Sequence, residues 1–275
     1  MNTIEKFRLD NRVAVITGGA GLLGVQHAEA IAEAGGIPVL WDINEELAVN
    51  EAERIQEIHK TSCIGMKVDI TSLDSVRKGM SDVLSSLSCI DILINNAAND
   101  PKVKSNQGDS WSRYENFSLE MWNQDIAVGL TGAFFCSQAI GTYMAQNKGG
   151  VILNIASDLS VISPDQRLYR KAGIADEQQS VKPVTYSVVK HGLVGLTKYL
   201  STYWVDKNVR VNAISPGGVY TNQPEEFVKK LTKLIPMGHM ANVDEYKAAV
   251  IFMCSDASSY MTGQNVSIDG GRTVW

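Results

Sequence analysis

Short apolar runs and longer amphipathic stretches alternate along the chain from residue 13 onward. Residues 13–16, Val-Ala-Val-Ile, are unbroken, branched and short, as a buried strand requires. Helical spacing follows over 22–34 and stops at Gly35-Gly36. The same alternation predicts strands over 37–41, 64–68 and 90–94, with helices over 44–60 and 71–87, the second capped by Thr71 or Ser72. Beyond them it predicts a helix over 119–146 broken near Gly129, a strand over 151–155 and a long helix over 184–206. A strand over 209–213, a helix over 243–255 and a last strand over 265–268 complete the pattern. Polar stretches at 99–118, at 163–183 and after Pro216 read as loops. The strands do not alternate apolar with polar residues, so each is buried on both faces. Strands of that kind, each followed by a helix, build a parallel sheet covered on two sides. The expected fold is α/β, a doubly wound parallel sheet of about seven strands with helices on both faces. The alternation runs end to end, so 1–275 is expected to be one domain with an insert at about 163–183.

Composition narrows the function classes without choosing one. With 275 residues, 44% hydrophobic, and a net charge of -5, the chain is not disordered. A pI near 5.4 argues against a nucleic-acid partner, which calls for a basic face. No stretch is expected to be apolar and long enough to cross a bilayer, and the polar start MNTIEKFRLDNR resembles no targeting segment. A cytoplasmic protein without a membrane partner is expected. Cys63, Cys89, Cys136 and Cys254 lie far apart with no His at ligand spacing, so they are expected to be reduced thiols, and no metal site is expected. His27, His59, His191 and His239 form no ligand pair and read as ordinary surface or packing residues.

Chemistry enters at the turn after the first strand, Thr17-Gly18-Gly19-Ala20-Gly21-Leu22-Leu23-Gly24. Glycines between a strand and a helix allow backbone N–H groups to approach a pyrophosphate at the helix N-terminus, as in a Rossmann-type dinucleotide site. Asp42 ends the second strand, eighteen positions after Gly24. A carboxylate there accepts hydrogen bonds from the adenosine ribose and repels a 2'-phosphate, which favours NAD over NADP; the plainer reading is a helix N-cap. Asp69 ends the third strand and, with Ile70, either meets the adenine or starts the next helix. Asn95-Asn96-Ala97-Ala98 closes the fourth strand, where amides tie neighbouring strands or line the nucleotide crevice.

Tyr186-Ser-Val-Val-Lys190 opens the long helix after the fifth strand. Spacing of i, i+4 puts phenol and ammonium on one face, and a nearby ammonium favours phenolate, the form useful for acid–base work. Ser157 stands just beyond the fifth strand, at the sheet edge where such folds bind ligands. With Ser215-Pro216-Gly217-Gly218-Val219 and the ending Asp269-Gly270-Gly271, these motifs resemble the short-chain dehydrogenase/reductase family over essentially the whole chain. The resemblance implies that Tyr186 is the general acid or base, that Lys190 assists it and binds the nicotinamide ribose, and that Ser157 holds the substrate oxygen. It implies a cofactor site from Thr17, Gly18, Gly21, Leu22, Leu23, Gly24, Asp42, Asp69, Ile70, Asn96, Ala97, Ala98, Tyr186, Lys190, Pro216, Gly217 and Val219. Self-association through the helices from Leu130 and Val184, as a homodimer or homotetramer, is implied as well.

Three departures from the family pattern stand out. Leu22 replaces a glycine of the turn, Ala98 replaces the glycine of an NNAG motif, and Gly129 occupies the position of the family's fourth catalytic residue, an Asn that holds a relay water. The 28 residues between Ser157 and Tyr186 exceed the usual span, and a loop anchored beside both overhangs the substrate site. In it Arg167, Arg170, Lys171 and Lys182 are candidates to hold an anion, with Tyr169 against a sugar face and Asp158 beside Ser157; the plain alternative is a solvated loop or an oligomer contact. Ile155-Ala156-Ser157, Pro183-Val184-Thr185-Tyr186 and Asn222-Gln223-Pro224 are similar to members acting in bacterial surface-sugar and flagellin-glycan modification. The leading expectation is an NAD-dependent oxidoreductase of a secondary alcohol or ketone on a sugar. Reduction of a non-sugar ketone, such as a steroid or acyl thioester, and a non-catalytic NAD-binding scaffold are the alternatives.

Overall fold

In the computed structural model, which describes residues 2–99 and 110–275, seven parallel strands form one sheet in the order β3-β2-β1-β4-β5-β6-β7. These are β1 (Val13–Thr17), β2 (Ile37–Asp42), β3 (Ile64–Lys67), β4 (Ile92–Asn95), β5 (Gly150–Ile155), β6 (Val209–Pro216) and β7 (Asn265–Ile268). The helices are α1 (Leu22–Glu33), α2 (Glu45–His59), α3 (Leu73–Leu87), α4 (Leu119–Gln146), α5 (Val184–Tyr203), α6 (Glu225–Thr232) and α7 (Lys247–Cys254). The predicted doubly wound sheet is thus present. Part of the loop expected over 99–118 lies outside the described residues; from Ser110 it contains two short 3-10 turns.

Successive strand residues point to opposite faces, and both faces are dry. Ala14, Ile16, Leu40, Ile92, Ile94 and Leu153 pack against Ile31 of α1, Ile55 of α2 and Met253 of α7. Val15, Val39, Trp41, Leu93, Ile152 and Val211 face Val83 of α3, Ile140 of α4 and Leu200 of α5. Each of these larger side chains contributes about 1.5–3 kcal/mol by leaving water, which explains the unbroken apolar strands. Winding reverses at β1, whose neighbours are β2 and β4, and a crevice opens there at the carboxyl ends of the strands.

Several boundaries differ from expectation for physical reasons. β6 runs to Pro216 rather than 213 because β7 pairs with its last four residues, Ala213↔Asn265 through Pro216↔Ile268. The helix expected from 243 begins at Lys247. Ser72, not Thr71, caps α3 by accepting from Ser75 N. The segment after Pro216 contains α6, whose acids lie in its first turn and lysines in its last. Near Gly129 α4 does not break; it widens into π turns at Ala127–Thr131 and Ser137–Gly141. By length and composition α4 is also apolar enough to cross a membrane, against expectation, because it is rich in Gly and Ala and poor in charge. Its Cys136, Ile140 and Met144 are buried against the sheet.

Burial raises the thiols of Cys63, Cys136 and Cys254 to about 12, and all four cysteines are free. His27 of α1 is fully buried, and its imidazole is pulled down to about 4 by loss of solvent.

Candidate active site

A cleft of about 1490 Å³ runs along the carboxyl edge of the sheet. One wall is the glycine turn. A Cβ at Gly24 would collide with Gly18 O and approach the backbone of Gly19 within 2.9 Å, so α1 can start this close to β1 only with glycine there. Asn96 braces the turn from β4: its Nδ2 donates to Thr17 O at 3.0 Å and Gly18 O at 3.1 Å. Thr17 Oγ1 accepts from Asn96 N and Ala97 N in return. Gly18, Gly21, Leu22 and Leu23 line the cleft, whereas Thr17 and Gly24 support the turn from behind.

Thr17 pairs with Trp41 in the β1–β2 register, so Asp42 emerges beside the turn. Its Oδ2 accepts from Ala20 N at 3.2 Å and its Oδ1 from Asn44 N at 3.0 Å, while Asn44 rather than Asp42 caps α2. Asp69 accepts from Thr71 N and Thr71 Oγ1, forming a tight turn rather than the cap of α3. Asp42, Ile43, Asp69, Ile70 and Thr71 line this end of the cleft, with no basic side chain among the described residues there. The close-packed glycine turn, the open helix start behind it and a carboxylate at the tip of β2 fit a dinucleotide. Asn96, Ala97 and Ala98 continue the lining, and Pro216, Gly217 and Val219 face them across the cleft. Tyr246 OH donates to Gly217 O at 3.0 Å, holding that last loop in place.

Ser157, Tyr186 and Lys190 meet at the centre. Ser157 follows β5 and is buried; its hydroxyl donates to Asp158 Oδ1 at 2.8 Å and accepts from Leu159 N at 3.2 Å. Tyr186 OH lies 3.4 Å from Ser157 Oγ. Lys190 is buried and donates from Nζ to Ile155 O at 2.7 Å. Nζ of Lys190 stands 5.8 Å from the Tyr186 ring centre, and that of Lys182 only 3.8 Å over its face. Two ammonium groups beside one phenol stabilise its anion. Lys182 was legible as an insert cation, but its seat over Tyr186 was not.

The far wall is the insert. Leu168 packs with Leu231, Ile235 and Met240, and the rings of Tyr169 and Phe227 are 5.7 Å apart, so α6 and the insert share a small apolar cluster. Tyr169, Arg170, Lys171, Lys182 and Lys230 line the cleft. Arg167 does not: its guanidinium is mostly exposed and donates from Nε and Nη2 to the two carboxylate oxygens of Asp165, which corrects its expected place at the anion. Asp158 is held by Arg272 at 2.5 Å in a buried ion pair. That pair ties the segment after Gly271 to the residue beside Ser157; the sequence motif Asp269-Gly270-Gly271 gave no sign of it.

Comparison with known proteins agrees with this geometry. A family model described as enoyl-(acyl carrier protein) reductase matches residues 20–273. The chain belongs to the short-chain dehydrogenase/reductase family. It is 32% identical to an NAD-dependent glycerol dehydrogenase of Listeria innocua, over 98% of this chain and 97% of that one. It is 33% identical to a D-threitol dehydrogenase of Mycolicibacterium smegmatis, over 98% of this chain and 95% of that one. A gluconate 5-dehydrogenase from Burkholderia cenocepacia, solved with NADP and tartrate, superposes over 100% of both chains with a TM-score of 0.86 and 28% identity. This short-chain dehydrogenase/reductase is therefore similar both to an NAD-dependent enzyme and to one that binds NADP.

Proposed function

We propose that the chain is an NAD-dependent oxidoreductase of a secondary alcohol or ketone on a polyol or sugar, with Tyr186 as its acid–base group. The observation that carries this reading is the juxtaposition at the cleft centre: Tyr186 OH at 3.4 Å from Ser157 Oγ, with the ammonium groups of Lys182 and Lys190 at 3.8 Å and 5.8 Å from its ring centre. The cofactor would be held by the turn from Gly18 to Leu23, by Asp42, Asp69 and Ile70, by Asn96 to Ala98, and by Pro216, Gly217 and Val219, with Thr17 and Gly24 behind them. When bound, the nicotinamide supplies or accepts the hydride. Tyr186 gives the proton to the forming alkoxide in reduction and, as phenolate, takes it in oxidation. Ser157 turns its single hydroxyl proton from Asp158 Oδ1, where it rests without substrate, to the substrate oxygen as negative charge develops there.

Asp42 supports NAD over NADP, because its carboxylate faces a wall without a compensating cation among the described residues. The glycerol and D-threitol specificities of the two curated relatives support a hydroxylated carbon chain as substrate. Arg170, Lys171 and Lys230 on the opposite wall favour one that also carries an anionic group, such as a phosphorylated or nucleotide-linked sugar. Exposed Phe134 on α4 and Tyr199 and Tyr203 on α5 support self-association through these helices. The test follows nicotinamide absorbance with NAD and NADP over glycerol, D-threitol, a steroid alcohol and a phosphorylated sugar. Turnover of a polyol or sugar with NAD preferred supports the reading; NADH binding without turnover of any alcohol or ketone would favour the scaffold.

A further inference from the structure

Asp125 is a buried carboxylate that no role above employs. It lies on α4 four residues before Gly129, so the two share a face, and that face packs on α5. Its Oδ2 accepts from Thr185 Oγ1 at 2.5 Å, and Thr185 immediately precedes Tyr186. Asp125, Gly129, Thr185, Tyr186 and Lys190 border a small cavity. Its volume is about 10 Å³, room for one water molecule. The missing side chain at Gly129 is what leaves this room. A Cβ there would stand 2.5 Å from Val189 Cγ1, so the Asn of the family pattern could enter only if Val189 turned or α5 shifted. Buried Lys190 and buried Asp125 thus border one water-sized space whose other walls include Val189 and Pro183, and Asn99 adds a polar side chain.

We propose that Asp125 is a positioning and proton-accepting residue for the Tyr186–Lys190 pair, acting through one water in this cavity and oriented by Thr185. This rests on Tyr186 being the acid–base group. In alcohol oxidation the substrate hydroxyl proton bonds to the phenolate oxygen of Tyr186, and it must leave before the next turnover. The cavity water takes one proton from the Tyr186–Lys190 pair and gives one to a carboxylate oxygen of Asp125, which returns it to solvent. Phenolate and carboxylate are both regenerated, with one proton released for each hydride transferred. The other charged group in reach is Lys182, over the Tyr186 ring. Among the described residues no further acid or base borders the cavity.

Asp125→Asn keeps the shape and an acceptor for Thr185 but cannot take a proton. Two measurements test it: the pH profile of kcat and KM with NAD and D-threitol or glycerol, and the ultraviolet titration of the Tyr186 phenol without cofactor, each variant against its Tyr186→Phe counterpart. The expected result is a kcat lowered about tenfold or more with KM within about twofold. The Tyr186 titration should move to lower pH by about 0.5 or more, because a nearby anion is gone. Formate should restore part of the rate to Asp125→Ala, as a merely structural role would not allow. An unchanged kcat profile together with an unchanged phenol titration would overturn the proposal. If Tyr186→Phe kept its turnover, or no polyol were oxidised, the functional reading would fall, and the phenol titration would still decide whether Asp125 couples to Tyr186. Should Asp125→Asn not fold, Thr185→Val, which removes only the orienting donor, is read in the same two ways.

Discussion

The wall of the cleft built from β1, β2 and the turn after β1 is mostly backbone, whereas the wall built from the insert and α6 is mostly long charged side chains. On the first wall, shape is set by atoms that cannot be moved independently: Gly24 against Gly18, Asn96 against Thr17, Asp42 against Ala20. On the second, Arg170 pairs loosely with Asp176 at 3.7 Å, and Lys230 binds Glu226 and the backbone oxygen of Arg170. A backbone-built site selects one ligand geometry and resists substitution. A side-chain-built site can be retuned one residue at a time. Under the proposed function, the difference suits a constant cofactor on one side and a variable substrate on the other.

The largest effect is expected where the substrate wall departs from this description, at the buried Asp158–Arg272 pair. Arg272→Ala should cost about 3–5 kcal/mol in urea unfolding, since it strands a buried carboxylate, and Asp158→Asn with Arg272→Met should recover most of that loss. Next comes the acid sensitivity of the backbone-built side. His27 is held neutral behind the glycine turn, with its imidazole near 4 against an ordinary 6.5. Unfolding therefore takes up a proton below pH 6.5, and stability should fall by about 3 kcal/mol as pH drops through that window to 4 and then level off. His27→Leu should flatten that slope in acid unfolding curves. Gly24→Ala should weaken NADH binding about 100-fold by calorimetry, a loss of about 3 kcal/mol, because the clash is with backbone. The smallest effect is expected on the retunable wall. Arg170→Ala with Lys230→Ala should raise KM for a phosphorylated sugar about tenfold while NADH affinity stays unchanged. An equal loss for a neutral polyol would remove the anion from the account.

Much of this division was legible before the fold was known, because the cofactor wall is local in sequence. Strand, glycine turn, helix and Asp42 fall within thirty residues, and backbone geometry follows from residue type there. Tyr186 and Lys190 are legible for the same reason, being one helical turn apart. What stayed hidden depends on contacts between distant segments. Arg272 reaches Asp158 across 114 positions, and Asp125 reaches Thr185 across 60. The extension of β6 depends on β7, whereas the outward turn of Arg167 is local, set by Asp165 two residues before it. α6 is different: Pro224, two glutamates, Phe227, Val228, Leu231 and two lysines carry a readable helix pattern, short enough to be taken for loop. Gly129 has also changed meaning. It reads in the sequence as a lost catalytic amide, and in the fold it is the contact that brings α4 and α5 together while leaving room for one water.

In the proposed NAD-linked alcohol–ketone reaction, Tyr186 moves the proton. The most direct test of this is Tyr186→Phe, assayed for D-threitol and glycerol oxidation alongside NADH binding. The expected result is kcat lowered by about 100-fold to 10,000-fold with NADH affinity within about twofold. Turnover within a few-fold of the unaltered protein would contradict it.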